Sequence, residues 1–151
     1  YNSRDEGQCY SMTYEHLSAA DAEYSFYIQN TSTDKTMVVS SIGVNAVAAS
    51  RMKLWAVTGT ATGAGDVLPH NLNLGSSNDA TGVFKIDTGG AIAGLTVSGI
   101  ELDDLQVGAT GHEEFRLTDR VRLGQNDAIA LEMDTTSSTS NIFGVVFFYY
   151  E

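Results

Sequence analysis

The sequence predicts an all-β protein, a single antiparallel β-sandwich of about eight strands, and three observations carry that expectation. Apolar residues recur at every second position in segment after segment, the period of a half-buried strand, with no convincing helical period anywhere. Clusters of Gly, Asn, Asp, Ser and Thr separate those segments, and the 151 residues hold 15 glycines against one proline. The closing segment, Asn141 to Glu151, is aromatic or β-branched on both of its alternating faces and uncharged before Glu151. Such a strand belongs inside a sheet rather than at an edge, and something must cover its second apolar face.

Taken in order, Tyr1 to Asp21 is polar, with Tyr1, Tyr10 and Tyr14 irregularly spaced, and reads as an N-terminal arm ahead of a domain over 22–151. Tyr24, Phe26 and Ile28 then alternate with Ser25, Tyr27 and Gln29, and Asn30 to Asp34 turns the chain into a second strand over Lys35 to Val44. In the third, Arg51 to Thr58, Met52, Leu54 and Ala56 oppose Arg51, Lys53, Trp55 and Val57. That places Trp55 on a cationic face, at a rim or interface. Gly59 to Asp66 reads as a flexible loop; it has the glycines of a phosphate cradle without the Gly-Lys-Ser/Thr ending or a following helix. Val83 to Asp87 is a short strand broken by Gly89-Gly90, and Ala91 to Leu102 alternates loosely, with Gly94 and Gly99 marking bulges. Phe115, Leu117, Val121 and Leu123 share one parity within Glu114 to Leu123. The turn Gly124 to Asp127 then leads to the alternating Ile129, Leu131 and Met133. Thr135 to Ser140 is the polar loop before the closing strand, and with no internal repeat or linker the chain reads as one domain.

Charge narrows the function. Eight Lys and Arg against 19 Asp and Glu give a net charge of −11, which repels phosphate backbones and anionic lipid, so neither nucleic acid nor a membrane surface is an expected partner. Cys9 is the only cysteine, so no intrachain disulfide forms, and as a nucleophile it would need His16, the one histidine nearby. His16, His70 and His112 lie far apart without paired-ligand spacing. Asp103-Asp104 and Glu113-Glu114 are neighbours, which point to opposite faces of a strand and make poor acid–base partners. Asp66, Asp79, Asp87 and Asp127 are of the type that binds Ca²⁺ from loops, but no Asp-x-Asp-x-Asp pattern gathers them. No Gly-x-Ser-x-Gly elbow is present. The expectation is a protein without catalytic residues, metal or cofactor.

The most specific stretch is Asp66-Val67-Leu68-Pro69-His70-Asn71-Leu72-Asn73-Leu74-Gly75-Ser76-Ser77-Asn78. A strand bearing Trp55, a glycine-rich turn and then Pro-x-Asn-Leu-Asn-x-Gly-Ser-Ser-Asn resembles the head-decoration (cement) proteins of tailed bacteriophages and related viruses. The turn Leu123 to Ile129 resembles that group's entry into the penultimate strand, although Gln125-Asn126 depart from its usual Pro-Gly-Asp, and the closing Tyr149-Tyr150-Glu151 fits as well. The resemblance covers roughly the C-terminal two-thirds of the chain. It implies a jelly-roll-like sandwich that trimerises on the outer surface of the virion, with the major capsid protein and further copies of itself as partners, and no chemistry to perform.

Asn71, Asn73 and Asn78 are suited to bonding their own backbone in an extended loop, and the sharper reading has that loop touch a neighbouring subunit or the shell. A jelly-roll strand needs one apolar face for its own core, so the closing strand has one to spare. Either Phe143, Val145, Phe147 and Tyr149 or Val146, Phe148 and Tyr150 would then centre a trimer interface, with Trp55, Asn71 and Asn73 as further contacts. Two readings compete. In a carbohydrate- or receptor-binding module, Trp55 and the tyrosines of the N-terminal arm would stack on sugar rings. A small β-fold hydrolase requires one histidine to meet a carboxylate and a nucleophile in one cleft.

Overall fold

The computed structural model describes residues 8–63, 65–87, 91–136 and 139–151, and within them the period-two alternation becomes strand without a single helix. The described residues form β1 (Cys9–Ala19), β2 (Tyr24–Asn30), β3 (Met37–Ala46), β4 (Ser50–Thr62), β5 (Gly65–Asp66), β6 (His70–Asn71), β7 (Gly82–Ile86), β8 (Ala93–Val107), β9 (Gly111–Leu123), β10 (Ala128–Thr136) and β11 (Ser140–Tyr150). They pair into two antiparallel sheets, β6-β1-β11-β3-β9 and β5-β7-β2-β10-β4-β8. This is the expected sandwich. Its strands exceed the expected eight because β1 lies in the stretch expected as an arm and β5 and β6 are two-residue bridges.

The first correction is at the N-terminus. Cys9–Ala19 is not a lead-in but β1, hydrogen-bonded between β6 and β11, so the sandwich begins well before residue 22. Tyr10, Met12 and Tyr14 point inward from it and are buried. The opening of that segment, residues 1–7, and the Gly89-Gly90 break lie outside the described residues. The second correction concerns the glycine-rich stretch after Trp55. Gly59–Thr62 continues β4, laddered to β8 through Gly59↔Leu95 and Thr62↔Ala93. Glycines at 59 and 94 permit this, because a Cβ on either would collide with a carbonyl oxygen of the facing strand.

One large core lies between the sheets. From the first sheet come Tyr10, Met12, Tyr14, Met37, Ile42, Phe115, Ile142, Val146 and Phe148, and from the second Phe26, Ile28, Met52, Leu54, Phe84, Ile129 and Leu131. Aromatic rings tie the sheets together at one end: Phe148 stacks on Tyr10 at 5.5 Å and on Phe84 at 5.6 Å, with Tyr150 edge-on to both Tyr10 and Phe148. A smaller cluster covers the outside of the second sheet, where Ile92 and Leu95 pack on Tyr27, Val57, Ala61, Ala128 and Ala130.

β11 occupies the centre of the first sheet, as its apolar sequence predicts. Its even-numbered side chains face the core, apart from Gly144, where the missing side chain has a purpose. Tyr14 pairs with Gly144 across the β1–β11 ladder, and its hydroxyl passes over to donate to the Gly43 carbonyl on β3 at 2.8 Å. A Cβ at position 144 would overlap that carbonyl oxygen and sit 2.9 Å from the Tyr14 hydroxyl. The buried phenol thus finds its acceptor two strands away because the strand between carries no side chain there. Gly144→Ala forces backbone apart and orphans the hydroxyl, so urea unfolding should show a loss of about 3 kcal/mol; a change below about 0.5 kcal/mol, the ordinary surface value, contradicts this packing.

Candidate functional site

The odd-numbered side chains of β11 stand on the outer face of the first sheet. Their neighbours follow from the register. Phe143 lies between Glu15 on β1 and Asn45 on β3, Val145 between Thr13 and Gly43, Phe147 between Ser11 and Ser41, and Tyr149 between Cys9 and Val38. Small side chains therefore flank most of the column, and no segment of the described chain crosses over it. Phe143 is 45% exposed and Phe147 38%, while Val145 and Tyr149 are half-buried. Of the two faces open in the sequence, the structure selects this one as the surplus. Val146, Phe148 and Tyr150 belong to the core.

β6 extends the same face. His70 pairs with Ser11, and the Leu72 amide donates to the Cys9 carbonyl, which sets Leu72 beside Cys9 at the level of Tyr149. The loop that follows is held by its own asparagines. Asn71 Oδ1 accepts the Asn73 amide at 2.8 Å, Asn73 Oδ1 accepts the Gly75 amide, and Asn71 Nδ2 donates to the Asn78 carbonyl at 3.0 Å. Asn71 and Asn73 thus brace the loop, whose exposed apolar groups are Leu72 and Leu74, the latter 91% exposed, with Leu68 exposed just before β6. Sequence reasoning singled out the asparagines and missed these leucines. Their spacing in an Asn-braced loop, where nothing in the segment itself could cover them, was the available signal.

Trp55 does not join this surface. It stands on the outside of the second sheet, packed beside the smaller apolar cluster, where its indole N–H donates to Glu132 Oε1 at 3.1 Å and the Lys53 ammonium sits 5.7 Å from its ring. The cationic face expected around it is there: Arg51 pairs with Asp104 and Asp134, and Lys53 with Glu101 and Asp134. The Arg51 hydrogen bond holds the Asp104 carboxyl below the usual carboxylate range. Tyr10 and Tyr14, expected on an N-terminal arm from which they could stack on sugars, are core residues.

The chemistry-bearing residues are mostly dispersed. Asp66 pairs with Lys85 at 2.8 Å, Asp127 Oδ2 accepts the Gly124 amide, and Asp87 turns to His16. Among the described residues no three His, Cys, Asp or Glu side chains gather as a metal site. Cys9 and His16 lie on opposite faces of β1, because an uninterrupted register separates them by an odd number of residues. His112 meets Asn45, its Nδ1 lying 3.0 Å from the amide oxygen.

His16 is the exception. Its Nδ1 lies 3.0 Å from Ser25 Oγ, and its Nε2 lies 3.3 Å from Asp87 Oδ2 and 3.7 Å from Glu23 Oε1. Serine, histidine and aspartate are therefore within reach of one another, as a hydrolase would need. Ser25, however, is 0% exposed and His16 1%, so a substrate could reach the hydroxyl only if the sheets parted. The cluster is an internal brace, joining β1 of the first sheet to β2 and the end of β7 in the second. Comparisons of the chain with family models, with curated proteins and with solved structures give no match.

Burial lowers the His16 pKa, against the opposing pull of Asp87 and Glu23. The neutral ring fits its partners, with Nε2–H donated to Asp87 and the Ser25 hydroxyl donating to Nδ1. A lowered folded pKa means that the unfolded chain binds the proton first. The His16 contribution to stability is thus complete above the unfolded value of about 6.5 and is lost as pH falls through the folded one. Asp87, raised chiefly by burial, works the other way, so the His16 part is read as a difference between variants. In urea titrations at pH 7.5 and 5.5, the wild type should lose more stability on acidification than His16→Gln. Equal losses would contradict a buried neutral imidazole.

Proposed function

We propose that this protein is a non-enzymatic virion structural protein, a homotrimer that decorates and stabilises the outer surface of a capsid by binding the major capsid protein. The observation that carries the reading is the uncovered column Phe143, Val145, Phe147 and Tyr149 at the middle of the first sheet. A central strand apolar on its solvent side favours association, since each Å² of apolar surface removed from water contributes about 25 cal/mol. Leu72, set beside Cys9 by a loop that its own asparagines hold, enlarges the same apolar surface.

The strand order supports the jelly-roll part of the proposal. With β5, β6 and β7 set aside, the other eight strands renumbered in chain order run 1-8-3-6 in one sheet and 2-7-4-5 in the other. Two Greek keys folded over each other produce that interleaving. The capsid part rests on the sequence resemblance of the Asp66 to Asn78 loop, the Leu123 to Ile129 turn and the closing strand. Its physics needs no active site: packed DNA presses outward on a shell, and a clamp across adjacent capsomers raises the work of separating them.

The test uses purified empty shells of the protein's own virus. Wild-type protein should cosediment with the shells and raise their temperature of disruption. Phe147→Asp should give a folded chain that no longer binds, whereas Phe148→Asp should leave no folded protein, because it puts a charge into the aromatic stack. Wild-type protein that ignores the shells, or a Phe147→Asp variant that binds as tightly as wild type, sinks the proposal.

A further inference from the structure

On one side of the sandwich neither sheet has a further strand among the described residues. β8 is the edge of the second sheet and β9 the edge of the first, and a short turn makes them consecutive. Near that turn, buried Val107 and Phe115 fill the space between the sheets. Farther along, both strands bulge at the same level. Leu54 pairs with Asp103 and Val57 with Val97, so six steps along β8 answer three along β4. Val39 pairs with Val121 and Ser41 with Arg116, so five steps along β9 answer two along β3. Extra residues bow an edge strand out of its ladder and re-aim its side chains.

Between the two bows lies a cavity of about 430 Å³, a size within the ~300–1,000 Å³ typical of small-molecule sites. Its wall is largely hydrocarbon, with Ile100 and Leu102 from β8, Val121 and Leu123 from β9, and Ile129 from β10. Ile100 and Leu102 remain exposed despite facing it, and Gly99, at φ +80°, has nothing within 4 Å of where a Cβ would stand. The β8 wall is therefore open, not filled by any of the described residues. Its charges differ in their commitments. Arg122 pairs with Glu151, and Asp127 accepts the Gly124 amide. Arg120 makes no ion pair among the described residues, in a chain whose net charge is −11. An uncommitted guanidinium beside an apolar cavity selects for an anionic head, and its planar fork matches a carboxylate.

We propose that this groove binds a small amphipathic carboxylate, a medium-chain fatty acid in its simplest form, with the hydrocarbon among Ile100, Leu102 and Val121 and the carboxylate on Arg120. The site is separate from the bare face of β11 and does not depend on how the protein assembles.

Calorimetric titration of the full chain with decanoate, and with decanol as the neutral control, tests the assignment. Decanoate should bind saturably, one per chain, and decanol about tenfold more weakly or worse. Arg120→Gln should erase that preference, and Leu102→Trp, which fills the groove, should abolish binding of both. Arg120 and Leu102 are exposed, so both variants should retain the wild-type circular dichroism spectrum. Equal affinity for decanol and decanoate would make the occupant merely apolar, and unaltered binding to Leu102→Trp would place the ligand elsewhere. A changed solution mass in Leu102→Trp would make the groove a contact between copies, and no binding of either probe would leave it vacant. Each of these four results overturns the proposal.

Discussion

A strand that is apolar on both sides gains from cover on each, and β11 is such a strand at the centre of its sheet. The first cover is the core, where Ile142, Val146, Phe148 and Tyr150 meet the second sheet. Gly144 interrupts that face, and through the gap the Tyr14 hydroxyl reaches Gly43, binding β1, β11 and β3 by one buried hydrogen bond. Fixing the even side chains inward fixes the odd ones outward, since a one-residue slip would exchange the faces entirely. The exposure of Phe143 and Phe147 is thus a consequence of the core and not a defect of the surface.

The two sheets treat their outer faces differently. The second sheet is roofed by its own chain: Ile92 and Leu95 lie over Tyr27, Val57 and Ala130, and Trp55 is held at the margin by Glu132 and Lys53. The first has no such roof among the described residues, although its middle strand is the more apolar. The proposed assembly would supply the cover that the outer face of the first sheet lacks among the described residues. The buried His16 cluster belongs to this architecture as well, since it joins the two sheets from the inside.

The parity of β11 and its central position were legible because eleven residues with almost no charge permit only a buried strand. Which face was surplus was not legible. That depends on Gly144 and on the Tyr10 and Phe84 rings that sandwich Phe148, partners far off in sequence. β1 was misread although Tyr10, Met12, Tyr14 and His16 alternate cleanly with Ser11, Thr13 and Glu15. The tyrosines and histidine look polar in isolation, and the burial of Tyr14 and His16 relies on Gly43, Ser25 and Asp87 to satisfy them. Trp55 was placed on the right face of its strand, but its separation from β11 follows from strand order, which alternation does not encode. The paired bulges of β8 and β9 were visible only as a glycine at 99 and a loose pattern; their alignment across the groove is a product of the fold.

The bare face of β11 is either covered by other copies of the chain or left to solvent. Sedimentation velocity of the wild-type protein across a wide concentration range measures this directly. A species with three times the mass of the chain, persisting on dilution, is the predicted result. A single monomeric species at the highest concentration would contradict it.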